Sequence, residues 1–390
     1  MIVADEVQNN PDVSSTLNDI PFVKAVTYYG RGNPLNFWDQ RFENFINADF
    51  TRFRKEGFNT LILLVPWAGV QLTIVLPTYK SFMLERIEFV LKKAAEHGLY
   101  TIFRMSYPHS FDPINEVSGH ERCNMIMAAD TSNGVKDGWL DYMRVINGIL
   151  TKEEYKDSYL YSFSSWEDFF CLISNSQHMT EQQERLRISR DIGFDKYVVE
   201  QYTPKELKDM FEGKDNKPDE YPIPRWGVGA KLFPAYIKFI DFKWWELVEL
   251  GRKVHPILSM ELRIDKDRGK KQPIPYDMHA DDNGPPKQLY WGGYMGSKPG
   301  VPLRAETAVA NLERAMKHAT VDNQSPAILG QFNFQDNTPH LVMNSKVLEE
   351  YNTFLEKSVP VLKKYTKGYG LWAYRNYRQS EIFNVSFLLG

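Results

Sequence analysis

The chain has 390 residues, of which 43% are hydrophobic and 25% charged, so it is long enough for one large α/β barrel or for two ordinary soluble domains. A formal net charge of −3 and a pI near 6.3 provide no broad basic surface, which excludes nucleic acid as an expected partner. We also expect no membrane insertion and no signal peptide, because the first residues are polar and no continuous apolar run reaches the length of a membrane span.

Apolar runs typical of buried strands recur along the chain from residue 23 onward. Eight of them are recognisable, at 23–30, 60–67, 100–108, 159–168, 257–265, 288–296, 326–334 and 368–377. Amphipathic stretches lie between the runs, with apolar residues three or four positions apart, as in FINADFTRFRKEG, MLERIEFVLKKAAEHG, WWELVELGRKV, AETAVANLERAMKHA and VLEEYNTFLEKSVPVLKKY. Alternating strands and helices imply parallel pairing, and eight units predict a (β/α)8 barrel, with a doubly wound open sheet as the structural alternative.

About ninety residues separate the fourth and fifth predicted strands, which is too long for a simple loop. This interval contains helical patterns and the charged segment EGKDNKPDEYPIP, so we predict a helical insertion on the barrel rim at about 172–235. The expected organisation is an N-terminal extension at 1–22, a catalytic barrel at 23–380 and, at 381–390, a tail or the start of a C-terminal carbohydrate-binding module.

In a barrel of this kind, catalytic side chains stand at the carboxyl ends of the strands. Carboxylates, guanidinium groups and aromatic rings occur at these positions: Arg104 and His109; Trp166, Glu167 and Asp168; Glu261, Arg263 and Asp265; Tyr290, Trp291 and Tyr294; Gln331, Asn333 and Asp336; Trp372, Tyr374 and Arg375. The aromatic content of 14% also suits a cleft that stacks on sugar rings, although most aromatic residues of any protein lie in its core.

Three of these strand ends resemble one enzyme family. The segments SWED on the fourth strand, GQFNF on the seventh and GLWAYRNY on the eighth are similar to the cellulase-like, clan A retaining glycoside hydrolases. The resemblance implies hydrolysis of a β-linked poly- or oligosaccharide by double displacement, with Glu167 as acid/base. It places Gln331 where the family has its nucleophilic glutamate, and a tyrosine of strand six, Tyr290 or Tyr294, beside that carboxylate.

Gln331 departs from the family pattern in a way that affects the chemistry. Retaining hydrolysis needs an ionised carboxylate that attacks the anomeric carbon, and a neutral amide of almost the same shape keeps the cleft but removes the nucleophile. We interpret Gln331 as a Glu-to-Gln replacement that abolishes turnover. The alternatives are a natural carbohydrate-binding pseudo-glycosidase and a nucleophile elsewhere in the chain.

Two carboxylates have alternative readings. Glu261 alternates with Arg263 and Asp265 on the fifth strand, so it is a rival nucleophile, although an internal ion pair or a substrate contact is favoured. Glu167 could instead cap a helix start, but the neighbouring Trp166 would raise its pKa towards that of a general acid.

The remaining residues that we assign to substrate binding surround these carboxylates. Aromatic side chains could stack on sugar rings or pack in the core, and polar ones could bind hydroxyl groups: Trp67, Arg104, His109, Trp166, Glu261, Arg263, Tyr290, Trp291, Tyr294, Asp336 and Trp372.

We predict no cofactor and no metal. GRGNP after the first strand lacks the spacing of a phosphate-binding loop, and the Asp and His residues of YDMHADDNG, at 276–284, are read as a polar loop rather than as a metal site. Two cysteines, Cys123 and Cys171, are too few for a disulfide scaffold. The compartment is not determined, although the resemblance favours a secreted or cell-envelope protein.

Overall fold

The architecture is that of a computed structural model, in which the description covers residues 22–31, 37–74, 76–106, 124–165, 172, 179–210, 220–225, 232–263, 290–294, 304–317, 320–321, 328–333 and 345–371. Its strands are β1 (Val23–Thr27), β2 (Thr60–Pro66), β3 (Gln71–Thr73), β4 (Thr78–Tyr79), β5 (Tyr100–Ser106), β6 (Tyr159–Ser165), β7 (Leu258–Arg263), β8 (Tyr290–Tyr294), β9 (Ile328–Asn333) and β10 (Gly368–Leu371).

Eight of these strands form one closed parallel barrel. The order around it is β1-β10-β9-β8-β7-β6-β5-β2, and β2 pairs with β1 to close the ring. Each of the eight strands lies inside one of the predicted apolar runs, so the predicted (β/α)8 fold is confirmed and the open sheet is excluded. Strand β2 is buried at all seven positions, as expected for a parallel strand covered on both faces.

The helices are α1 (Ile46–Lys55), α2 (Trp67–Val70), α3 (Ser81–Glu96), α4 (Val135–Leu150), α5 (Gln182–Ile192), α6 (Phe194–Gln201), α7 (Pro204–Met210), α8 (Phe233–Arg252), α9 (Ala305–Lys317) and α10 (Ser345–Tyr365). All five amphipathic stretches named from the sequence are helical, and α4 is an additional helix. Helices α5, α6 and α7 fall between the fourth and fifth barrel strands; that they form an insertion on the rim stays a prediction.

Within the described residues, none of the helices combines the length and the apolar character that crossing a bilayer requires.

The hydrophobic core has two layers, as the alternation of side chains along a strand requires. Aliphatic and aromatic residues of several strands fill the barrel interior, namely Val23, Ala25, Ile62, Ile102, Leu160, Tyr161, Phe163 and Ile328. The outward residues of the same strands, such as Leu61, Leu63 and Phe103, pack against the helices in a larger cluster. The described interior residues therefore form a packed layer, as in other barrels of this kind.

Glycine allows the strands to approach closely where the barrel closes. A Cβ added at Gly370 on β10 would overlap Ile62 Cδ1 and would lie 3.7 Å from the Cβ of Ala25. Ile62 thus fills the space that the absent side chain leaves, and the eighth strand can pack beside the first two.

A short antiparallel hairpin, β3–β4, follows the carboxyl end of β2, and the sequence analysis did not anticipate it. Buried Gln71 and Ile74 anchor it, and Lys80 N donates a hydrogen bond of 3.0 Å to Val70 O across its base. Because it belongs to the loop between β2 and α3, it lies at the end of the barrel where the strands terminate.

Candidate functional site

All eight barrel strands run in the same direction, so their carboxyl ends form one rim. Register shows which strand ends are level with one another: Glu261 of β7 pairs with Ser165 of β6 on one side and with Tyr290 of β8 on the other. The strand ends are therefore staggered in the described residues: the last residue of β6 is level with a residue two positions before the end of β7, and that residue is level with the first residue of β8.

Arg104 and Glu261 lie in the barrel rather than on its surface. Arg104 pairs in register with Phe163, an interior residue, and only 2% of it is exposed, while Glu261 is completely buried. Both residues lie above the apolar layer that Ile102 and Tyr161 form deeper in the barrel. Buried ionisable groups of this kind need compensating charges or hydrogen bonds, so they are suited to shaping the electrostatics of the rim from below.

Tyr161 lies within the electrostatic reach of Glu261. Burial, first, and then the negative charge of Glu261 raise the pKa of Tyr161 well above its ordinary value. The hydroxyl group consequently stays protonated at any pH at which the protein functions. The sequence analysis missed Tyr161, although the alternation Tyr161–Phe163–Ser165 in YLYSFSS is the signal that places it on the interior face.

Thr27 is a second interior polar residue that sequence reasoning missed. It ends β1 two positions after Ala25, on the same face of the strand, and is 2% exposed. Its Oγ1 makes no hydrogen bond in the described structure. Together with Tyr161, it places hydroxyl groups inside the barrel, beside the apolar residues of the interior cluster.

A hydrogen-bonded clamp holds the chain that leaves β1. The hydroxyl of Tyr28 donates to Asp49 Oδ2 at 2.7 Å, and Arg31 Nη2 donates to Asp49 Oδ1 at 2.9 Å. Asp49 belongs to α1, so this clamp ties the first rim loop to the first outer helix. These contacts give Arg31, in the GRG segment after the first strand, a structural role.

The seventh strand carries a β-bulge in the segment that contains Gln331. Between the pairs Gly292–Gly330 and Tyr294–Asn333, β9 has one residue more than β8, and the pairs Tyr369–Leu329 and Leu371–Phe332 show the same excess against β10. Leu329 and Phe332, three positions apart, therefore both pack in the outer cluster. Bulges change the direction of side chains and are common beside active sites.

Trp67 was predicted as a sugar-stacking residue, and its burial argues against that role. The residue is 0% exposed, its ring lies 6.4 Å from that of Tyr142, and Nε1 donates to Gln71 Oε1 at 2.5 Å. A ring enclosed on both faces offers no platform to a ligand. Trp67 instead anchors the β3–β4 hairpin through Gln71, whose Nε2 donates to Tyr79 Oη and to Gly138 O.

Other predicted site residues are located only by their backbone. Gln331 lies in β9, Arg263 in β7, and Tyr290, Trp291 and Tyr294 in β8. Glu167, His109, Trp166, Asp336 and Trp372 lie outside the described residues, as do Cys123, Cys171 and the segment 276–284. The part of the chain that the structure describes holds no group of three or more His, Cys, Asp or Glu side chains arranged as a metal site.

Among the comparisons with known proteins, only the comparison with solved structures found matches, and these matches support the fold. The sequence matches no protein-family model and no curated protein sequence. Among similar structures is an exo-β-1,4-mannosidase from Opitutaceae bacterium strain TAV5, with a TM-score of 0.55 and 12% identity. That match covers 94% of this chain but 58% of the mannosidase, so the chain spans little more than half the length of that protein.

Two further similar structures contain bound carbohydrate. A GH5_18 protein from Streptomyces cattleya in complex with Manb1-4GlcNAc has a TM-score of 0.53 and 12% identity, over 91% of this chain and 71% of that protein. A glycoside hydrolase family 5 enzyme from Prevotella bryantii B14, in complex with a xyloglucan tetradecasaccharide, has a TM-score of 0.52 and 11% identity, over 97% of this chain and 98% of the enzyme. The chain therefore has the (β/α)8 barrel fold of the cellulase-like, clan A glycoside hydrolases.

Proposed function

We propose that this chain binds a β-linked poly- or oligosaccharide across the carboxyl ends of its barrel strands, and that a carboxylate at position 331 would enable it to hydrolyse that substrate with retention. The observation that carries the proposal is the position of Gln331 on the seventh strand of a closed barrel whose fold is that of glycoside hydrolases. Fold alone does not define a reaction, so the proposal rests on the residues at the strand ends.

Glu167 is proposed as the acid/base. It follows Ser165, the last residue of β6, by two positions, and Ser165 pairs in register with Glu261 of β7. In a retaining mechanism the protonated carboxyl donates a proton to the leaving oxygen, and the resulting carboxylate then activates water.

Position 331 is proposed as the site of the nucleophile. Gln331 lies in the bulged segment of β9, and bulges are common beside active sites, where they change the direction of side chains. The amide of Gln331 has almost the shape of a carboxylate but lacks its charge. We therefore expect the present chain to bind the substrate without useful turnover.

Glu261 is proposed as an internal charge rather than as a nucleophile. A nucleophile must reach the anomeric carbon, whereas Glu261 is fully buried and lies within reach of the Tyr161 hydroxyl. Arg104, which is also buried, supplies positive charge at the same end of the barrel. Together they would set the field in which the residues above them ionise.

The remaining contacts to the sugar are proposed from the rim. Aromatic side chains would stack on pyranose rings, and polar ones would bind hydroxyl groups: His109, Trp166, Arg263, Tyr290, Trp291, Tyr294, Asp336 and Trp372.

The Gln331→Glu variant tests the proposal. We expect it to gain hydrolysis of at least one member of a β-glucan, β-mannan, xylan and xyloglucan panel, with retention of anomeric configuration followed by NMR. The control adds Glu167→Gln to that variant, which should lower kcat by a factor of 10² or more because the proton donor is lost. Background activity of the Gln331→Glu variant on every glycan would contradict the assignment of the nucleophile.

A carbohydrate-binding pseudo-glycosidase is the second candidate, and the amide at position 331 favours it. In that case the chain should bind a glycan of the panel, while Gln331→Glu leaves hydrolysis at background. Both functions predict binding of that glycan in a calorimetric titration, so the hydrolysis assay of the Gln331→Glu variant separates them, since only the first predicts turnover.

A further inference from the structure

The loop after β2 exposes apolar side chains at the end of the barrel where we place the carbohydrate. Six large apolar residues are exposed among those whose burial is described, and three of them lie within residues 72–82. These are Leu72 (45% exposed) and Leu76 (84%) of the hairpin, and Phe82 (43%) in the first turn of α3. We call them the rim apolar group.

Hydrogen bonds connect the two strands of the hairpin that carries the leucines. Thr73 Oγ1 donates to Leu76 O at 2.8 Å and accepts from Thr78 N at 3.1 Å. At the base, Gln71 is hydrogen bonded to Trp67 and Tyr79. The hairpin is thus fastened to buried parts of the barrel.

Leu76 adopts a backbone conformation that a leucine rarely takes. Its φ is +54°, and it is the one non-glycine residue with a positive φ in the described part of the chain. It also precedes Pro77, a position that favours extended backbone. Bulky residues with positive φ are rare, and such strain persists where the surroundings enforce it, often at ligand clamps.

Charge and size indicate what could cover the rim apolar group. Residues 60–79 contain no Asp, Glu, Lys or Arg, so the charges that contact the hairpin and Phe82 come from outside this segment: Asp141 accepts a hydrogen bond from Tyr79 at 2.6 Å, and the Arg86 guanidinium lies 5.5 Å from the Phe82 ring. Three side chains also present much less area than the roughly 800 Å² per partner of a stable protein interface. A small, uncharged, apolar group fits this surface.

We propose that the rim apolar group contacts an apolar aglycone, so that the preferred ligand is a β-glycoside with an uncharged alkyl or aryl group. This inference rests on the proposed function, because it assumes that the sugar lies at the same rim. Leu72 and Leu76 are then specificity-determining residues, and Trp67 and Gln71 are positioning residues that hold the hairpin.

The test compares alkyl glycosides that share one sugar. The chain is titrated calorimetrically with methyl and octyl β-D-glucoside, β-D-mannoside and β-D-xyloside, each below its micelle concentration. For the sugar that binds, we expect the octyl glycoside to have a Kd at least about tenfold lower than the methyl glycoside. The double variant Leu72→Ser/Leu76→Asn should lose that difference and keep the methyl affinity. Asparagine is chosen at position 76 because it tolerates positive φ.

The matched control is Val199→Ser, which removes an apolar side chain that is 55% exposed on α6, and it should leave both affinities unchanged. Equal Kd values for octyl and methyl glycosides would overturn the inference while leaving the proposed function intact. An octyl preference that survives in the double variant, or that Val199→Ser abolishes, would also overturn it. If no glycoside or glycan binds, the proposed function fails, and this inference fails with it.

Discussion

Arg104, Tyr161 and Glu261 place two charges and a hydroxyl group inside a barrel whose deeper layers are apolar. Burying such groups is unfavourable unless other groups compensate them, so a barrel selected only for stability would have little use for them. Their position below the ends of the third, fourth and fifth strands agrees with a role in the electrostatics of the rim.

Gln71 is a residue for which stability can be tested directly. It is completely buried and connects Trp67, Tyr79 and Gly138. We expect Gln71→Leu to lower the free energy of unfolding by about 2 kcal/mol, because buried partners lose their hydrogen bonds. Urea unfolding measures the change, with Gln201→Leu, at an exposed helix position, as a control that should stay within about 0.5 kcal/mol. Equal effects of both substitutions would contradict the role of Gln71.

The buried side chain of His255 leads to a prediction of how the free energy of unfolding depends on pH. Burial lowers the pKa of His255 to about 4, against about 6.5 in an unfolded chain. Its Nδ1 contacts Met143 O at 3.3 Å, and its Nε2 contacts the Tyr159 hydroxyl at 2.8 Å. Between these two pH values the unfolded chain binds more protons than the folded chain, so the free energy of unfolding falls as the pH falls. The contribution of His255 to that free energy is fully present above pH 6.5 and is lost as the pH falls towards 4. About 2 kcal/mol is lost at pH 5.

The measurement is urea unfolding from pH 4.5 to 7.5, for the chain and for His255→Gln. Carboxylates titrate in both proteins, so the difference between the two curves isolates the histidine. We expect the stability of the chain to fall more steeply than that of the variant below pH 6.5. Parallel curves would show that His255 has its ordinary pKa in the folded state.

Among the elements, the eight barrel strands were predictable because each is a continuous apolar run, which is typical of parallel strands buried on both faces. Five helices were predictable from their apolar periodicity. The hairpin at residues 71–79 was not, since its strands have three and two residues and a run this short carries no clear period. The hairpin depends on a tertiary contact instead. Ile74 packs on α4, where a Cβ added at Gly138 would lie 2.8 Å from Ile74 Cγ2.

The contact between β10 and β2 gives a prediction about strand packing. Gly370→Ala should destabilise the barrel by about 2 kcal/mol, because the new methyl group overlaps Ile62 Cδ1. Ile62→Val removes that atom at a cost of about 1 kcal/mol. The double variant should therefore be less destabilised than the sum of the single variants, as a double-mutant cycle of unfolding free energies would show. Strict additivity would mean that the two positions do not touch.

For the whole molecule, closure of the barrel depends on β1, which pairs with β10 on one side and β2 on the other. We expect deletion of residues 1–27 to abolish cooperative thermal unfolding in near-UV circular dichroism, because two strand edges and the interior become exposed. The control Thr27→Val keeps the strand and removes a buried hydroxyl that has no hydrogen-bond partner among the described residues, so its midpoint should be equal or higher. A cooperative transition in the deleted chain would contradict the closed barrel.

The sequence by itself determined the eight strands, most of the helices and the (β/α)8 fold, because the repeating periods of burial are local properties of the chain. Only the tertiary structure decided that Glu261 and Arg104 are buried within the barrel, that Trp67 is a core residue, and that β9 bulges beside Gln331. Burial and register depend on which strands become neighbours when the barrel closes and on how far each is shifted along the next. No local pattern of residues contains that information.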